Sequence, residues 1–498
     1  MFLRDRSGPL LTFETLREKA EHIGACLQAL GLRKGDRAGV MLPNSQHFLT
    51  IWVGLLKGGI VEVPVHPANK GMVLQHQLIQ AGVCLLFTDA DGFARLLALE
   101  PVPCLKRVVI LGGSDALGPS PYEVIPFQSF LDLGDAFVAP DIDFTDVASV
   151  LFTSGTTGPS KGASVSHNHN IHIAATTIDI MGATPSDTLL LSFPLTHAGG
   201  RYATSLTALM VGASVYMEKF SASGFWDTVR REGVTGFLYL GGVLPILWKQ
   251  PERPNDADNP VSRAWGAAAP ADLVNPFQDR FGLRLIEIYG TAETGNATFP
   301  RPGREKLGSC GEAAEHLDVA IVDENDQPCN AEAVGEIVVR PRQPYTIVNE
   351  YVGMPEQTVR AFRNLWFHTG DRGRMDAQGR LYFVDRLKDA IRRRGENISS
   401  WEVEQVVLSH PNVVEVAAYA VPSELGEDEV MVAIVRRPNT SLSGADLVSH
   451  CSLRMADFSV PRYVRFVESL PRNPSDRVQK YLLRDDAVTA DTWDRLAN

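Results

Sequence analysis

Residues 151–163 read LFTSGTTGPSKGA. An apolar run from Val147 to Phe152 enters a loop of Thr, Ser and Gly that ends in Lys161-Gly162. Small residues let backbone N–H groups approach an anion, hydroxyls add donors, and the lysine adds a point charge. That combination suits nucleotide phosphates. The glycines at 155, 158 and 162 do not fit G-x-x-x-x-G-K-[ST], so this is not a Walker A loop. His167, His169 and His172 follow as H-x-H-x-x-H and invite a metal reading. Without a nearby carboxylate or cysteine the pattern makes a weak site, and a structural role is expected.

The surrounding elements must position this loop. Residues 13–31 have helical periodicity, with Leu16, Ala20, Ile23 and Leu27 on one face and Gly31 as the cap. Short apolar runs at 37–42, 60–65, 83–88 and 107–111 read as buried strands, and Leu49 to Leu56 as a helix. Strands alternating with helices predict a parallel α/β sheet covered on both faces. Val319 to Val322 and Gly335 to Arg340 predict a smaller β-rich part. Near the C-terminus strands (413–420, 430–435) alternate with helices (402–409, 443–456).

The composition narrows the class. A chain of 498 residues with 44% hydrophobic content suits a soluble protein of more than one domain. A net charge of −12 argues against nucleic acid as the main partner. The six cysteines are scattered without a C-x-x-C, as expected of reduced cytoplasmic thiols. The first residues, MFLRDRSGP, lack a signal-peptide core, and no run of about twenty apolar residues predicts a membrane span.

The stretch 151–163 closely resembles the phosphate loop of AMP-forming acyl-CoA synthetases, the superfamily shared with luciferases and peptide-synthetase adenylation domains. Further segments resemble that family's motifs in order: GLRKGDRAGVMLPNS, SFPLTHAGG (192–200), AWGAAAP (264–270), LIEIYGTAETG (285–295), WFHTGD (366–371) and RLKDAIRRRGENISSWEVE (386–404). The wording of the last is closest to crotonobetaine/carnitine-type CoA ligases and related acyl-CoA ligases. The resemblance implies an adenylate-forming α/β fold. A large N-terminal domain with a β-rich subdomain would span residues 1–385, and a small mobile C-terminal α+β domain 386–498, hinged at Lys388.

It also implies roles. Thr153, Ser154, Gly155, Thr156, Thr157, Gly158 and Lys161 would hold phosphates. Gly266, Ala267 and Ala268 would lie along adenine, with Tyr289 stacked on it. Gly290, Thr291 and Ala292 would border the α-phosphate, and Asp371 and Arg386 the ribose. Glu293, with Thr153, would hold Mg²⁺. His197 would gate an acyl pocket that includes Gly199, Gly200, Gly241 and Ala269, and Gly395 would border the pantetheine tunnel. Arg392, Arg393 and Arg394 read equally as a contact for CoA phosphates or a solvated face.

Two departures bear on activity. Ala292 stands where the family's Tyr-Gly-x-Thr-Glu pattern has a hydroxyl. In LPRNPSDRVQK (470–480), Asp476 and Arg477 replace the Gly-Lys of the last motif, and Lys480 lies three residues on. Family members use that lysine while carboxylate and ATP form acyl-AMP, but not while CoA attacks acyl-AMP. The expectation is an acyl-CoA ligase with ATP or acyl-AMP, Mg²⁺ and coenzyme A as its ligands, biased toward thioester formation. A complete ATP-dependent ligase, in which Arg477 or Lys480 supplies the cation, is the alternative. A non-catalytic binder of acyl-adenylate or nucleotide, and an adenylating enzyme serving a carrier protein or oxygen, are the others. The many small residues near the pocket suggest a bulky, mainly apolar acid, with Arg201 the one cation beside it. A partner ligase supplying acyl-AMP and a homodimer are left open.

Overall fold

The computed structural model describes residues 1–112, 119–153, 159–240, 242–386, 390–423, 426–438, 440–472 and 478–497. The expectations for Ser154, Gly155, Thr156, Thr157, Gly158, Gly241, Lys388 and Arg477, and for the side chain of Arg386, lie outside them. Among the described residues two large sheets, one of eight strands and one of seven, form the N-terminal part. Both are mainly parallel, as the alternating pattern predicts, but each has an antiparallel edge. The phosphate-loop strands account for one such edge. Val147–Thr153 and Lys161–Ser166 run antiparallel, with Thr153 opposite Lys161. A connection this short closes a hairpin but cannot carry a parallel crossover.

Local signals set the helices. Thr12 and Thr15 form a reciprocal cap that starts Phe13–Ala29. Ser45 caps Gln46–Lys57, so that helix begins ahead of the apolar run at Leu49. Ser166 caps His167–Met181, and Gly182 closes it in the left-handed conformation. Large aromatic side chains, among them Trp52, Tyr202, Phe48 and Trp265, fill the main core.

A four-stranded antiparallel sheet that includes Leu317–Val322, Gly335–Pro341, Phe367–Met375 and Leu381–Arg386 is the β-rich part. The smaller C-terminal domain has its own core around Val403, Val407, Val432, Ile434 and Leu447. A short hairpin, Ala390–Arg393 with Glu396–Ser399, faces the large domain. No helix among the described residues is long and apolar enough to cross a membrane.

Candidate active site

The hairpin that carries the phosphate loop also fixes the first carboxylate of the site, Glu293, which stands in a separate turn. Thr153 Oγ1 donates to Glu293 Oε1 across 2.9 Å. The Tyr351 phenol donates to the same oxygen at 3.2 Å. Tyr351 lies on a short strand paired with Ala163, and the Lys161 ammonium sits 4.6 Å from the centre of its ring. Thr153, Lys161 and Glu293, all expected in the site, are thus brought together, and Tyr351 is the residue the motif reading missed. Glu293 and Thr153 offer hard oxygen donors of the kind Mg²⁺ prefers, with phosphate and water completing a shell. Among the described residues no cluster of three or more His, Cys, Asp or Glu could hold a metal ion alone.

His169 supports this turn. Its Nε2 lies 3.0 Å from Ala292 O and its Nδ1 2.8 Å from Thr346 O. Burial lowers its pKa, against the pull of the two carbonyl oxygens, which favour the protonated ring. His172 bonds Asn168 O and Gln343. These two histidines therefore serve the fold. The Thr291 hydroxyl turns onto Thr294, 3.2 Å away, and Ala292 adds none.

The Tyr289 ring stacks on Phe383 at 6.2 Å, and its hydroxyl donates to Asp371 Oδ2 at 2.9 Å. The residues expected at adenine and ribose are therefore linked directly. The AWGAAAP turn is held from beneath by Glu287. Ala269 N–H lies 3.2 Å from both carboxyl oxygens, and the Tyr239 hydroxyl donates at 2.7 Å. Burial pushes the Glu287 carboxyl up to about 7. Its signal in the sequence was an acid inside the apolar run LIEIYG.

The glycines do not hold space for substrate. A Cβ on Gly266 would stand 1.9 Å from Tyr239 O, and one on Gly200 would stand 2.5 Å from Pro194 O. A Cβ on Gly199 would meet the Leu238 side chain at 2.7 Å. Their smallness admits neighbouring protein atoms, which corrects the inference of acyl size. Arg201 is corrected as well, for it lies fully buried in an ion pair with Glu62.

The small domain presses its hairpin on this region. Gly395, at φ +80°, approaches Phe193, and its N–H donates to Glu427 at 3.0 Å. Glu396 reaches His197 Nε2 at 2.8 Å and lies 3.4 Å from His66 Nε2. Burial pushes its carboxyl up, but the two imidazoles pull harder and hold it below the ordinary range. Glu402 accepts from Ser160 N–H at 3.0 Å. A cavity of about 130 Å³ remains between the domains, lined by Thr153, His197, Ala292 and Glu396 among others. Gly199, Gly200 and Ala269 do not line it. The arginine run divides: Arg393 is buried against Glu429 at 2.6 Å, while Arg394 is exposed at the turn. Lys480 bonds Glu404 at 2.7 Å and Ser400 at 3.1 Å within the small domain.

Comparison with known proteins agrees with this geometry. The AMP-binding enzyme model matches residues 3–349, and the AMP-binding enzyme C-terminal domain model matches 402–477. The crotonobetaine/carnitine–CoA ligase of Salmonella paratyphi B is 30% identical over 95% of this chain and 93% of its own length. The sulfoacetate–CoA ligase of Cupriavidus necator is 30% identical over 97% and 93%. In fold, the chain is similar to a Bacillus subtilis o-succinylbenzoate CoA synthetase bound to a product analogue. There the TM-score is 0.83 at 24% identity, covering 98% of this chain and 96% of that one. The chain belongs to the AMP-forming acyl-CoA synthetase superfamily and is an acyl-CoA ligase.

Proposed function

We propose that this ligase joins a mainly apolar carboxylic acid to coenzyme A through acyl-AMP, and that it favours the second half-reaction. The observation that carries the reading is the docked hairpin, with Gly395 against Phe193 and Glu396 bonded to His197. In this arrangement the small domain completes the mouth of the pocket. Lys388 serves as the pivot between residues 1–385 and 386–498, Gly395 borders the path of pantetheine, and His197 stands at the mouth of the acyl pocket.

Adenylation brings two anions together, so a fitted cation contributes strongly to its transition state. Arg477 offers a wide planar fork where a compact ammonium is needed, and a misplacement of about 1 Å costs on the order of a hundredfold. Ala292 removes a donor from the same step. Lys480 is engaged with Glu404 and Ser400, which weighs against its acting as a substitute. Mg²⁺, held by Glu293 and Thr153, would supply charge neutralisation at the phosphates. Asp371 and Arg386 would hold the ribose, and Tyr289 the base. Arg201, already paired with Glu62, is not available to pair a second carboxylate on the acid. The relatives' carnitine and sulfoacetate leave the acyl class open beyond that.

A complete ATP-dependent ligase is the second reading, favoured by the intact Thr153–Glu293–Tyr351 group. Purified protein given CoA with either ATP plus a panel of acids, or the preformed acyl-adenylates, separates the two. Acyl-CoA from the adenylate alone, with adenylation restored by Arg477→Lys and Ala292→Thr, is the expected result. Steady acyl-CoA and pyrophosphate from ATP and free acid would sink the first reading. Tight adenylate binding without acyl-CoA from any substrate would leave a binder.

A further inference from the structure

Glu396 stands between two imidazoles that belong to distant parts of the large domain. His66 Nδ1 accepts from Ala68 N–H at 3.1 Å, so the neutral ring carries its proton on Nε2, facing Glu396 Oε1 at 3.4 Å. Phe458 of the small domain meets the same ring edge-on at 5.0 Å. A carboxylate only accepts, so His197 also donates through Nε2, at 2.8 Å to Glu396 Oε2. In the neutral ring that leaves the lone pair of His197 on Nδ1. The side chain is 35% exposed and lines the cavity shared with Thr153 and Ala292. Of the other charged groups that line this cavity, Lys70 donates to Ser452 O and Glu402 accepts from Ser160 N–H.

This arrangement has the parts of a base and its orienting acid. We propose that His197 is the general base for CoA in thioester formation and that Glu396 is its positioning residue. The pair is assembled only when the small domain docks. The assignment rests on the thioester-forming reading above. In the step, the S–H bond breaks and its proton passes to His197 Nδ1. The sulfur forms the C–S bond to the acyl carbon, and the C–O bond to AMP breaks with its electron pair on the phosphate oxygen. His197 then releases the proton through water. Acyl-AMP and CoA give acyl-CoA, AMP and one proton. Glu396 fixes the tautomer and faces the positive charge that the ring acquires. His66 keeps Glu396 in place.

Single-turnover reactions of preformed acyl-adenylate with CoA, followed across pH 6 to 9, test this. The wild type should show a rate plateau around neutrality. His197→Ala should be slower by about a hundredfold, typical of general-base loss, with acyl-adenylate affinity changed only a few-fold. Its plateau should give way to a rate that climbs with pH, since solvent must now form the thiolate, and added imidazole should rescue it in part. Glu396→Gln, which keeps shape and an acceptor oxygen, should slow the step about tenfold and gain nothing from imidazole. A His197→Ala enzyme with an unchanged rate and plateau would overturn the assignment. So would a defect confined to acyl-adenylate affinity, the mark of a gate. A wild type inert toward acyl-adenylate would instead remove the thioester-forming reading, and the base with it.

Discussion

Thr153 and Glu293, 140 positions apart, share a hydrogen bond of 2.9 Å, and Tyr351 adds a second donor to the same carboxylate oxygen at 3.2 Å. One residue ends a sheet strand, one sits in a turn, and one lies on an edge strand laid beside the phosphate hairpin. Two donors on one oxygen fix the direction of a carboxylate that would otherwise rotate.

Tyr351→Phe tests that role while keeping the ring under Lys161. It removes a hydrogen bond worth about 1 kcal/mol, so Mg²⁺-dependent affinity for ATP should fall about fivefold in calorimetry. Affinity without Mg²⁺ should hardly move. An equal loss with and without the metal would make Tyr351 a general packing residue.

The Glu62–Arg201 pair has no solvent contact on either side chain. Burial raises the Glu62 carboxyl above its ordinary range, against the pull of Arg201 and of Ser149, which donates at 3.1 Å. Removing one member strands the other charge, at a cost of about 3–5 kcal/mol, whereas an apolar pair of similar volume can restore stability. Glu62→Leu and Arg201→Met should each lower the denaturant midpoint sharply, and the double variant should recover most of it. A double variant as unstable as the sum of the singles would show that the surrounding polar groups need both charges.

Glu287 gives a pH signature. Its folded value of about 7 lies above the ordinary 4.5 because burial disfavours the charge. A raised carboxyl contributes stability fully below 4.5 and loses it as pH rises through 7. The gap corresponds to about 3 kcal/mol. Thermal unfolding of the wild type should therefore weaken between pH 4.5 and 7 relative to Glu287→Gln. Parallel curves for the two proteins would mean that Tyr239 and the Ala269 N–H hold the carboxylate charged.

What the sequence revealed depended on whether a residue's partner lies in a patterned segment. The alternation of strands and helices and the motif segments that carry Thr153, Tyr289, Glu293 and Asp371 were legible, because each is a short run of distinctive composition; the antiparallel hairpin at the phosphate loop was not. Neither was Glu396. Its partners at 66 and 197 share no local pattern with it, and only domain docking brings them together. Arg393 and Arg394 look alike in a run of three, but the first ends a strand and is buried against Glu429, while the second sits in the following turn and is exposed. Gly200 and Gly266 read as open space because composition cannot distinguish room for a ligand from room for a neighbouring backbone.

Glu402 bonds to Ser160 N–H at 3.0 Å and so places a carboxyl on the loop expected to hold the outer phosphates of ATP. Docking of the small domain and occupation of that loop by pyrophosphate should therefore oppose each other. At an effective dielectric of about 20, a unit charge about 10 Å away contributes about 1.7 kcal/mol, more than a tenfold change in affinity. Glu402→Gln keeps the shape and an oxygen for Ser160 while removing the charge. Pyrophosphate should then inhibit acyl-CoA formation from preformed acyl-adenylate about tenfold more strongly than in the wild type. Burial raises the Glu402 carboxyl, so the two proteins should converge as the pH falls and the wild-type side chain takes up its proton. An inhibition constant that is the same in both proteins throughout would mean that pyrophosphate enters only after the small domain has turned away.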